Sequence, residues 1–286
     1  MHRHSQPAAT DQATLLAQYG PLLHQLASMQ QWLEAPFVVG ITGAQGTGKS
    51  TLAHFLAGQL QQQHHCNVAV LSLDDLYLPR AERQRLARQV HPLLATRGVP
   101  GTHDIPLGLK TLDALANASA NTKTALPRFD KAMDDRVPKN RWPEVHGRPD
   151  VILFEGWCLG ARAQSEQELS TPINALEAEE DADGRWRHYV NEQLKGPYQQ
   201  LFSRIQYQVF LQAPSMAAVL RWRQQQEHQL RARNGAAPGI MSDQQLLRFI
   251  SHYERLTRQL LQQPPQRTQW RLVLDEQHQL KECHHD

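Results

Sequence analysis

The chain has 286 residues, of which 40% are apolar, and a formal net charge of +2. This length and apolar fraction allow a sizeable buried core, so a wholly disordered chain is excluded. The balanced charge argues against a nucleic-acid-binding surface, and no apolar run is long enough for a signal segment or a membrane span. Three widely spaced cysteines predict free thiols in a reducing compartment, so we expect a cytoplasmic protein without a nucleic-acid or membrane partner.

Hydrophobic periodicity predicts alternating helices and strands. Between residues 11 and 34, apolar side chains recur every three or four positions, and Gly20-Pro21 predicts a break into two short helices. Continuous apolar runs predict buried strands at 37–42, 68–73, 151–154, 209–211 and 270–274. The clearest helical patterns span 50–63, 215–233 and 243–262. The order predicts one α/β domain over 1–286: a parallel sheet of the P-loop NTPase type with helices on both faces.

Three further segments lie outside this alternation. Residues 79–149 separate two predicted strands and are rich in Pro, Arg and Asp, so we interpret them as a cap insertion on the substrate side. The acidic run 177–181 is typical of a solvated surface. The polar tail Cys283-His284-His285 predicts a frayed terminus rather than a metal site.

A glycine-rich segment follows the first predicted strand and precedes a helical pattern. It fits the phosphate-loop pattern G-x-x-x-x-G-K-[ST], in which backbone N–H groups and a helix N-terminus bind phosphate oxygens. Lys49 is predicted to reach the β- and γ-phosphates of ATP, and the Ser50 hydroxyl to coordinate Mg²⁺. The predicted nucleotide-binding residues are Gly43, Ala44, Gln45, Gly46, Thr47, Gly48, Lys49, Ser50 and Thr51.

Carboxylates follow two other predicted strands. Asp74 and Asp75 come after the second strand, and Glu155 ends the third. The carboxyl ends of parallel strands meet at one edge of the sheet, so these groups are expected near the phosphate loop. Asp74 and Glu155 can supply a proton acceptor and hard oxygen ligands for Mg²⁺. For Asp75 a catalytic role and a helix cap remain equally open.

A basic helix follows the fourth predicted strand. Cations that arrive over a nucleotide stabilise the charge that spreads over the γ-phosphate during transfer. Residues 215–239 are therefore predicted to form a lid, with Arg223 as a catalytic cation and a flexible exit at Asn234-Gly235. For any single arginine, a solvated helix face remains an equal alternative. The arginines of this segment are Arg221, Arg223, Arg231 and Arg233.

These features together resemble the D-glycerate 3-kinase family, whose relatives include uridine kinase, phosphoribulokinase and bacterial pantothenate kinase. The resemblance covers most of residues 37–262 and rests on SLDDLY at 72–77, RGVPGTHD at 97–104, PRFDK at 127–131 and EGWCLG at 155–160. It implies a central phosphate-loop strand, Asp74 as catalytic base, Glu155 near Mg²⁺ and a mobile lid carrying Arg223. It also implies D-glycerate as the phosphate acceptor.

Glycerate is a small hydroxylated anion, so its carboxylate requires an Arg or Lys clamp. We predict Arg128 as that clamp and Lys131 as the second choice. Asp130 and His103 are the predicted partners of the hydroxyl groups, and Asp104 belongs to the same acceptor site. Arg136 is interpreted as a surface ion pair.

Other functions remain open from the sequence alone. A nucleoside acceptor would need an aromatic platform, which Tyr77, Phe129 or Trp157 could provide. Pantothenate and sugar phosphates are further alternative acceptors for a kinase of this fold. A non-catalytic P-loop switch protein is the other class, although a switch has no use for an acceptor-binding cap. The sequence does not reveal the oligomeric state.

Overall fold

The computed structural model describes residues 9–234 and 241–285. The strands are β1 Phe37–Gly43, β2 Val68–Ser72, β3 Lys123–Ala125, β4 Phe129–Asp130, β5 Asp135–Arg136, β6 Glu144–His146, β7 Val151–Gly156, β8 Tyr207–Gln212, β9 Thr268–Leu274 and β10 Leu280–His285. The helices are α1 Ala9–Gln30, α2 Lys49–His64, α3 Arg80–Gln89, α4 Ile105–Ala116, α5 Glu166–Leu169, α6 Ala175–Glu180, α7 Arg185–Lys195, α8 Pro197–Phe202, α9 Met216–Asn234 and α10 Asp243–Gln262.

Six strands form the central sheet, in the order β10-β9-β8-β1-β7-β2. The phosphate-loop strand β1 is central, as the resemblance implied, and pairs in parallel with β7 and β8. The expectation of a parallel sheet holds for five strands, because β10 runs antiparallel to β9 at one edge. The parallel strands place their carboxyl ends at one edge of the sheet, where ligands of such folds bind.

Helices cover both faces of this sheet. On β1, Val38 packs into one core and Val39 into the other, as alternation along a strand requires. Helices α1 and α2 cover one face, and α4, α7, α8 and α10 cover the other. None of the helices in the described part of the chain combines the length and the apolar character that crossing a bilayer requires.

The segment 79–149, interpreted from the sequence as a cap, lies between β2 and β7. It contains α3, α4 and two small antiparallel pairs, β3 with β6 and β4 with β5. The hairpin β4–β5 pairs Phe129 with Arg136 and Asp130 with Asp135. This hairpin carries part of the PRFDK motif, so its anchoring decides where the predicted acceptor-binding residues lie.

Two local predictions were wrong. The N-terminal pattern forms one helix, α1, with Pro21 inside it rather than two helices divided at Gly20-Pro21. Burial of Leu22, Leu23 and Leu26 against the sheet compensates for the backbone hydrogen bond that proline cannot make. The tail at 283–285 is not frayed, because it pairs as strand β10 along the exposed edge of β9.

The prediction that the acidic run 177–181 forms a solvated surface was also wrong for the two ends of the run. Glu177 and Asp181 are buried, and each is paired with a buried arginine, Arg255 on α10 and Arg187 on α7 respectively. Only the intervening residues of the run are exposed. These ion pairs fasten α6 and the following loop to α7 and α10.

Candidate active site

The carboxyl ends of β1, β2 and β7 bring the predicted catalytic groups together. Ser72 on β2 and Glu155 on β7 are register partners. The Oε1 atom of Glu155 accepts hydrogen bonds from the Ser72 hydroxyl at 2.8 Å and from the Ser50 hydroxyl at 2.9 Å. The phosphate loop and two strand ends therefore meet at one carboxylate, as the sequence predicted for Ser50 and Glu155.

The phosphate loop has the backbone geometry that anion binding requires. Gly46 and Gly48 have φ angles of 83° and 87°, a region in which side chains are strained. Gly48 is the N-cap of α2 and offers no side chain to the first N–H groups of the helix. Nζ of Lys49 donates to the Ala44 carbonyl at 3.0 Å. Burial lowers the pKa of Lys49, although the charges of Glu155 and Asp74 oppose this effect.

Glu155 lies deep at the base of this edge. Burial raises its pKa, and the nearby charge of Asp74 acts in the same direction, while Lys49 and the two serine hydroxyls lower it. Its carboxylate, the Ser50 hydroxyl and the Asp74 carboxylate form a set of hard oxygen donors. Such a set suits Mg²⁺, which prefers oxygen ligands and keeps several waters. The donor chemistry therefore fits the expected metal.

Asp74 and Asp75 do not lie on an extended strand, because β2 ends at Ser72 and a short 3₁₀ turn spans Leu73–Leu76. Asp74 accepts from the Tyr77 hydroxyl at 2.9 Å through Oδ1 and from Lys131 at 2.6 Å through Oδ2. Burial alone would raise its pKa, but Lys131, Lys49 and Tyr77 together hold the pKa well below its usual range. Asp74 is therefore a carboxylate surrounded by cations.

Asp75 faces a different part of the cap. Its Oδ1 accepts from the backbone N–H of Phe129 at 3.0 Å, and its Oδ2 lies 2.5 Å from Arg128. Burial raises the pKa of Asp75 despite the adjacent guanidinium group. Asp75 thus anchors the first residues of the PRFDK segment and is not a helix cap, one of the two roles left open for it.

Further ion pairs hold the hairpin β4–β5 in place. Asp134, in the hairpin loop, pairs with Arg83 at 2.8 Å and with Arg97 at 2.5 Å. Both guanidinium groups also lie within 6 Å of the centre of the Phe129 ring, at 5.9 and 5.7 Å. These contacts join the hairpin to α3 and to the segment around Arg97 within the cap itself.

Two predicted acceptor-site residues have partners within the fold. Asp104 caps α4 through Oδ1, at 3.0 Å from the N–H of Leu107, and its Oδ2 pairs with Arg136 at 3.0 Å. Arg136 also donates to the Tyr77 carbonyl, so its ion pair is half-buried rather than a surface contact. Asp130 accepts from the backbone N–H groups of the two residues after Lys131 and shapes that turn.

His103 is buried against Tyr77, the side chain that donates to Asp74. Its ring stacks on Tyr77 with centroids 4.5 Å apart, and its Nδ1 lies 2.5 Å from the Tyr198 hydroxyl, which accepts from the N–H of Gly101. Burial lowers the pKa of His103 to about 3, so its ring is neutral. Its Nε2 atom is buried and has no hydrogen-bond partner in the described part of the chain.

The aromatic side chains considered for a nucleoside platform are all buried. Tyr77 and Trp157 are each 2% exposed and Phe129 is 8% exposed. Trp157 donates to the Gly98 carbonyl, and Phe129 is covered by two arginines. These rings pack inside the protein and do not offer an exposed face on which a base could stack. They therefore do not support a nucleoside as the acceptor.

Helix α9 packs directly on the phosphate loop. A Cβ atom on Gly46 would lie 3.2 Å from Cβ of Trp222. Arg223 contacts Gln226 and Glu227 on its own helix, and Arg221 pairs with Glu276. Arg231 contacts the Met241 carbonyl and Asp243. The predicted lid thus lies beside the nucleotide loop, while the Arg233 side chain and residues 235–239 lie outside the described residues.

Two residues of this region, Ser72 and Tyr253, were not predicted from the sequence. Ser72 donates to Glu155 and also accepts from the backbone N–H of Asp74, which holds the turn that carries the candidate base. Tyr253 on α10 donates to the Arg97 carbonyl, and burial followed by the charge of Asp74 raises its pKa. The position of Ser72 at a strand end was a usable signal. Nothing in the local sequence of α10 connects Tyr253 with this site.

The chain is similar to several known kinases. No protein-family model matches the chain. A Schizosaccharomyces pombe protein named uncharacterized kinase mug58 is 34% identical over 231 residues, 76% of this chain and 78% of that protein. A chloroplastic D-glycerate 3-kinase of Arabidopsis thaliana is 34% identical over 226 residues, which cover 76% of this chain but only 46% of that protein.

The fold of a D-glycerate 3-kinase from Cryptococcus neoformans superimposes with a TM-score of 0.77 at 26% identity, over 95% of this chain and 99% of that one. The sequence comparisons cover about three quarters of the chain, and the structural one covers 95% of it. The chain belongs to the D-glycerate 3-kinase family of P-loop kinases and is an ATP-dependent small-molecule kinase.

Proposed function

We propose that this kinase transfers the γ-phosphate of ATP to the 3-hydroxyl of D-glycerate and so forms 3-phosphoglycerate. The observation that carries the proposal is the position of Asp74, which lies between Lys49 of the phosphate loop and Lys131 of the cap. A proton acceptor there has the nucleotide loop on one side and a cation for an acidic acceptor on the other. The relatives named D-glycerate 3-kinase support this choice of acceptor.

In this proposal, the phosphate loop binds the nucleotide. The N–H groups at the start of α2 and the Lys49 ammonium neutralise the β- and γ-phosphates. Ser50 and Glu155 would hold Mg²⁺, with Asp74 nearby, and the ion would supply charge neutralisation between the β- and γ-phosphates. The hydrogen bonds from Ser50 and Ser72 hold Glu155 in one orientation before any ligand binds.

Asp74 acts as the general base for the acceptor hydroxyl. The hydroxyl oxygen forms a bond to the γ-phosphorus, the bond to the β–γ bridging oxygen breaks, and the proton passes to Asp74 as ADP leaves. The hydrogen bond from Tyr77 orients its carboxylate, and the Ser72 hydroxyl accepts from the backbone N–H of Asp74 and so holds the turn that carries it. A group held in this way loses little entropy when the acceptor binds.

The cap binds the acceptor. Lys131 is the better carboxylate clamp of the two predicted, because it and its partner Asp74 are more exposed than the pair of Arg128 and Asp75, and Asp74 also has Lys49 nearby. The buried Nε2 of His103 is the hydroxyl partner that most needs a ligand, since an unpaired buried donor or acceptor costs about 1–3 kcal/mol. Asp130 remains a second hydroxyl partner at the hairpin turn. Arg223 on α9 is positioned beside the loop and would supply charge to the transferring phosphate.

An acceptor panel with product identification tests the proposal. Coupled ADP release should be fast with D-glycerate and ATP, and slow with pantothenate, uridine and sugar phosphates. Phosphorus NMR should show the 3-phosphate. Formation of the 2-phosphate, or reaction only with another acceptor, would refute the glycerate assignment. Rapid ATP hydrolysis that no acceptor stimulates would instead favour a nucleotide switch. We also propose a cytoplasmic location, which fractionation of the native cell would test.

A further inference from the structure

Lys131 and Asp74 form an ion pair that joins the cap to the Leu73–Leu76 turn. Nζ of Lys131 lies 2.6 Å from Oδ2 of Asp74, and the side chains are 60% and 32% exposed respectively. A ligand can therefore reach both groups. Because Tyr77 donates to the other oxygen, both oxygens of the candidate base are already engaged.

The backbone around Lys131 is held independently of this ion pair. Asp75 binds the Phe129 N–H and the Arg128 side chain, on one side of Lys131. Asp130 binds the backbone N–H groups of the two residues on the other side. The lysine side chain is a flexible stem with a compact charge. Its ammonium group can therefore change partners while the hairpin stays in place.

Asp74 can release Lys131 more readily than Asp75 can release Arg128. Without Lys131, Asp74 still has the hydrogen bond from Tyr77 and the nearby charge of Lys49. Asp75 is more buried, with its side chain 13% exposed, and Arg128 is its cationic partner in the structure. A buried carboxylate that loses its cation is strongly penalised. Of the two pairs, the one at Asp74 is therefore suited to exchange.

The pair also weakens Asp74 as a base. An ammonium group on a carboxylate stabilises its charged form and occupies one direction from which a proton could arrive. General-base catalysis improves as the pKa of the base rises toward the operating pH. A base that keeps Lys131 is thus a poor acceptor for the hydroxyl proton.

We propose, on the basis of the glycerate kinase function above, that Lys131 is a specificity-determining residue that moves from Asp74 to the carboxylate of the acceptor. This exchange frees Asp74 to take the hydroxyl proton as the oxygen bonds to the γ-phosphorus and ADP leaves. A neutral acceptor such as glycerol has the hydroxyl but offers Lys131 no anion. The pair then persists, and the neutral acceptor is rejected in kcat as well as in KM.

The test compares D-glycerate with glycerol at saturating ATP in four proteins: the parent, Lys131→Gln, Lys131→Arg and Lys139→Gln. Lys139 is an exposed lysine of the same cap and serves as the matched control. We expect Lys131→Gln to lower kcat/KM for glycerate by roughly a hundredfold, the loss of one charged contact. The same change should raise kcat for glycerol by roughly tenfold, because the base is released. Lys131→Arg should restore the preference for glycerate in part.

A fall in kcat for both acceptors in Lys131→Gln would overturn the proposal, because it would place Lys131 on the transferring phosphate. An increase in KM for glycerate, with kcat for glycerol unchanged, would also overturn it and leave Lys131 as a simple clamp. If the parent phosphorylates pantothenate rather than glycerate, the glycerate assignment fails separately. The same four proteins are then compared with pantothenate and its neutral alcohol, pantothenol, for which the same reversal is expected.

Discussion

Asp75 and Arg128 form an ion pair of 2.5 Å that ties the Leu73–Leu76 turn to the PRFDK segment. The neighbouring residue Asp74 contacts Lys131 of the same segment. Two adjacent carboxylates thus hold one segment of the cap, but only Asp74 also lies near the phosphate loop. Asp75 therefore anchors the cap, whereas the neighbouring Asp74 is the residue proposed as the base. Substituting each aspartate in turn tests this division of roles.

Asp74→Asn should leave nucleotide affinity almost unchanged and slow the chemical step. The amide keeps the shape of the side chain but cannot take the hydroxyl proton. We expect single-turnover rates to fall by roughly a hundredfold to ten-thousandfold, the usual contribution of a general base. A loose transition state would place the loss at the lower end of this range. Near-normal rates with nucleotide bound would show that Asp74 is not the base.

Asp75→Asn should act mainly through the cap. The variant keeps one acceptor for the Phe129 N–H but leaves Arg128 without its carboxylate. We expect KM for the acceptor to rise more than KM for ATP, with a smaller effect on the single-turnover rate than Asp74→Asn has. Steady-state kinetics with each substrate varied in turn provide the measurement. If Asp75→Asn slows chemistry more while binding is intact, the base has been assigned to the wrong residue.

The pH dependence of kcat/KM should respond to Lys131. The pKa of Asp74 is held well below its usual range, so Asp74 stays ionised as the pH falls and Glu155, whose pKa is raised, protonates first. Lys131→Gln removes a positive charge that acts on both carboxylates, so it raises the pKa of Asp74 and of Glu155. The acid limb should therefore move to higher pH. The other titratable groups around Asp74 are Lys49, Asp75, Tyr77, His103, Glu155, Cys158 and Tyr253.

Because Lys139→Gln removes the same charge from the cap surface, it controls for a general change in potential. Its acid limb should coincide with that of the parent. An acid limb that stays in place, or moves to lower pH, in Lys131→Gln would contradict an electrostatic effect of Lys131 on the two carboxylates.

Glu177→Gln should strongly destabilise the fold, whereas Glu180→Gln should not. Glu177 is fully buried and receives two hydrogen bonds from Arg255, at 2.6 and 2.8 Å. Removing its charge leaves a buried guanidinium group unpaired, which costs about 3–5 kcal/mol of unfolding free energy. Glu180 pairs with Arg248 on the surface, where such pairs contribute about 0–1 kcal/mol. Urea unfolding of both variants should show this contrast, and equal losses would contradict it.

Hydrogen exchange should slow in α9 when an ATP analogue and D-glycerate bind together. The helix packs against Gly46 through Trp222, so a bound nucleotide should restrict its opening. Helix α1, which is buried in the core that it shares with α2 and the sheet, provides an internal reference. Unchanged exchange across residues 216–234 would leave Arg223 as an ordinary surface cation and remove the lid from the mechanism.

Local pattern was sufficient for the parts of this protein that follow from short-range chemistry. The phosphate loop needs glycines at positive φ before a helix, and that requirement is visible in Gly46 and Gly48. Apolar runs identified the parallel strands, since strands buried on both faces have few polar residues. The strand ends also predict Glu155 near the phosphate loop, where it accepts a hydrogen bond from Ser50.

Prediction from local sequence failed where a residue packs against, or pairs with, a partner that is distant in sequence. Pro21 predicts a break, but burial of the leucines that follow it keeps α1 continuous. Glu177 belongs to an acidic run, but Arg255 meets it from a helix 78 positions away in sequence. In each case tertiary packing outweighs a local preference of only a few kcal/mol.

The fold class, the nucleotide loop and the two carboxylates can be predicted from sequence, because each depends on spacing along one strand or turn. The folded cap is needed to tell which aspartate anchors the PRFDK segment and which lies near the nucleotide loop. Asp74 and Asp75 are chemically identical, and their roles differ because Lys131 and Arg128, more than fifty residues later, approach them from different sides. The strength of an ion pair depends on the distance between the two charges. Lys131 and Arg128 come close to the two aspartates only when the cap insertion folds back onto the turn after β2.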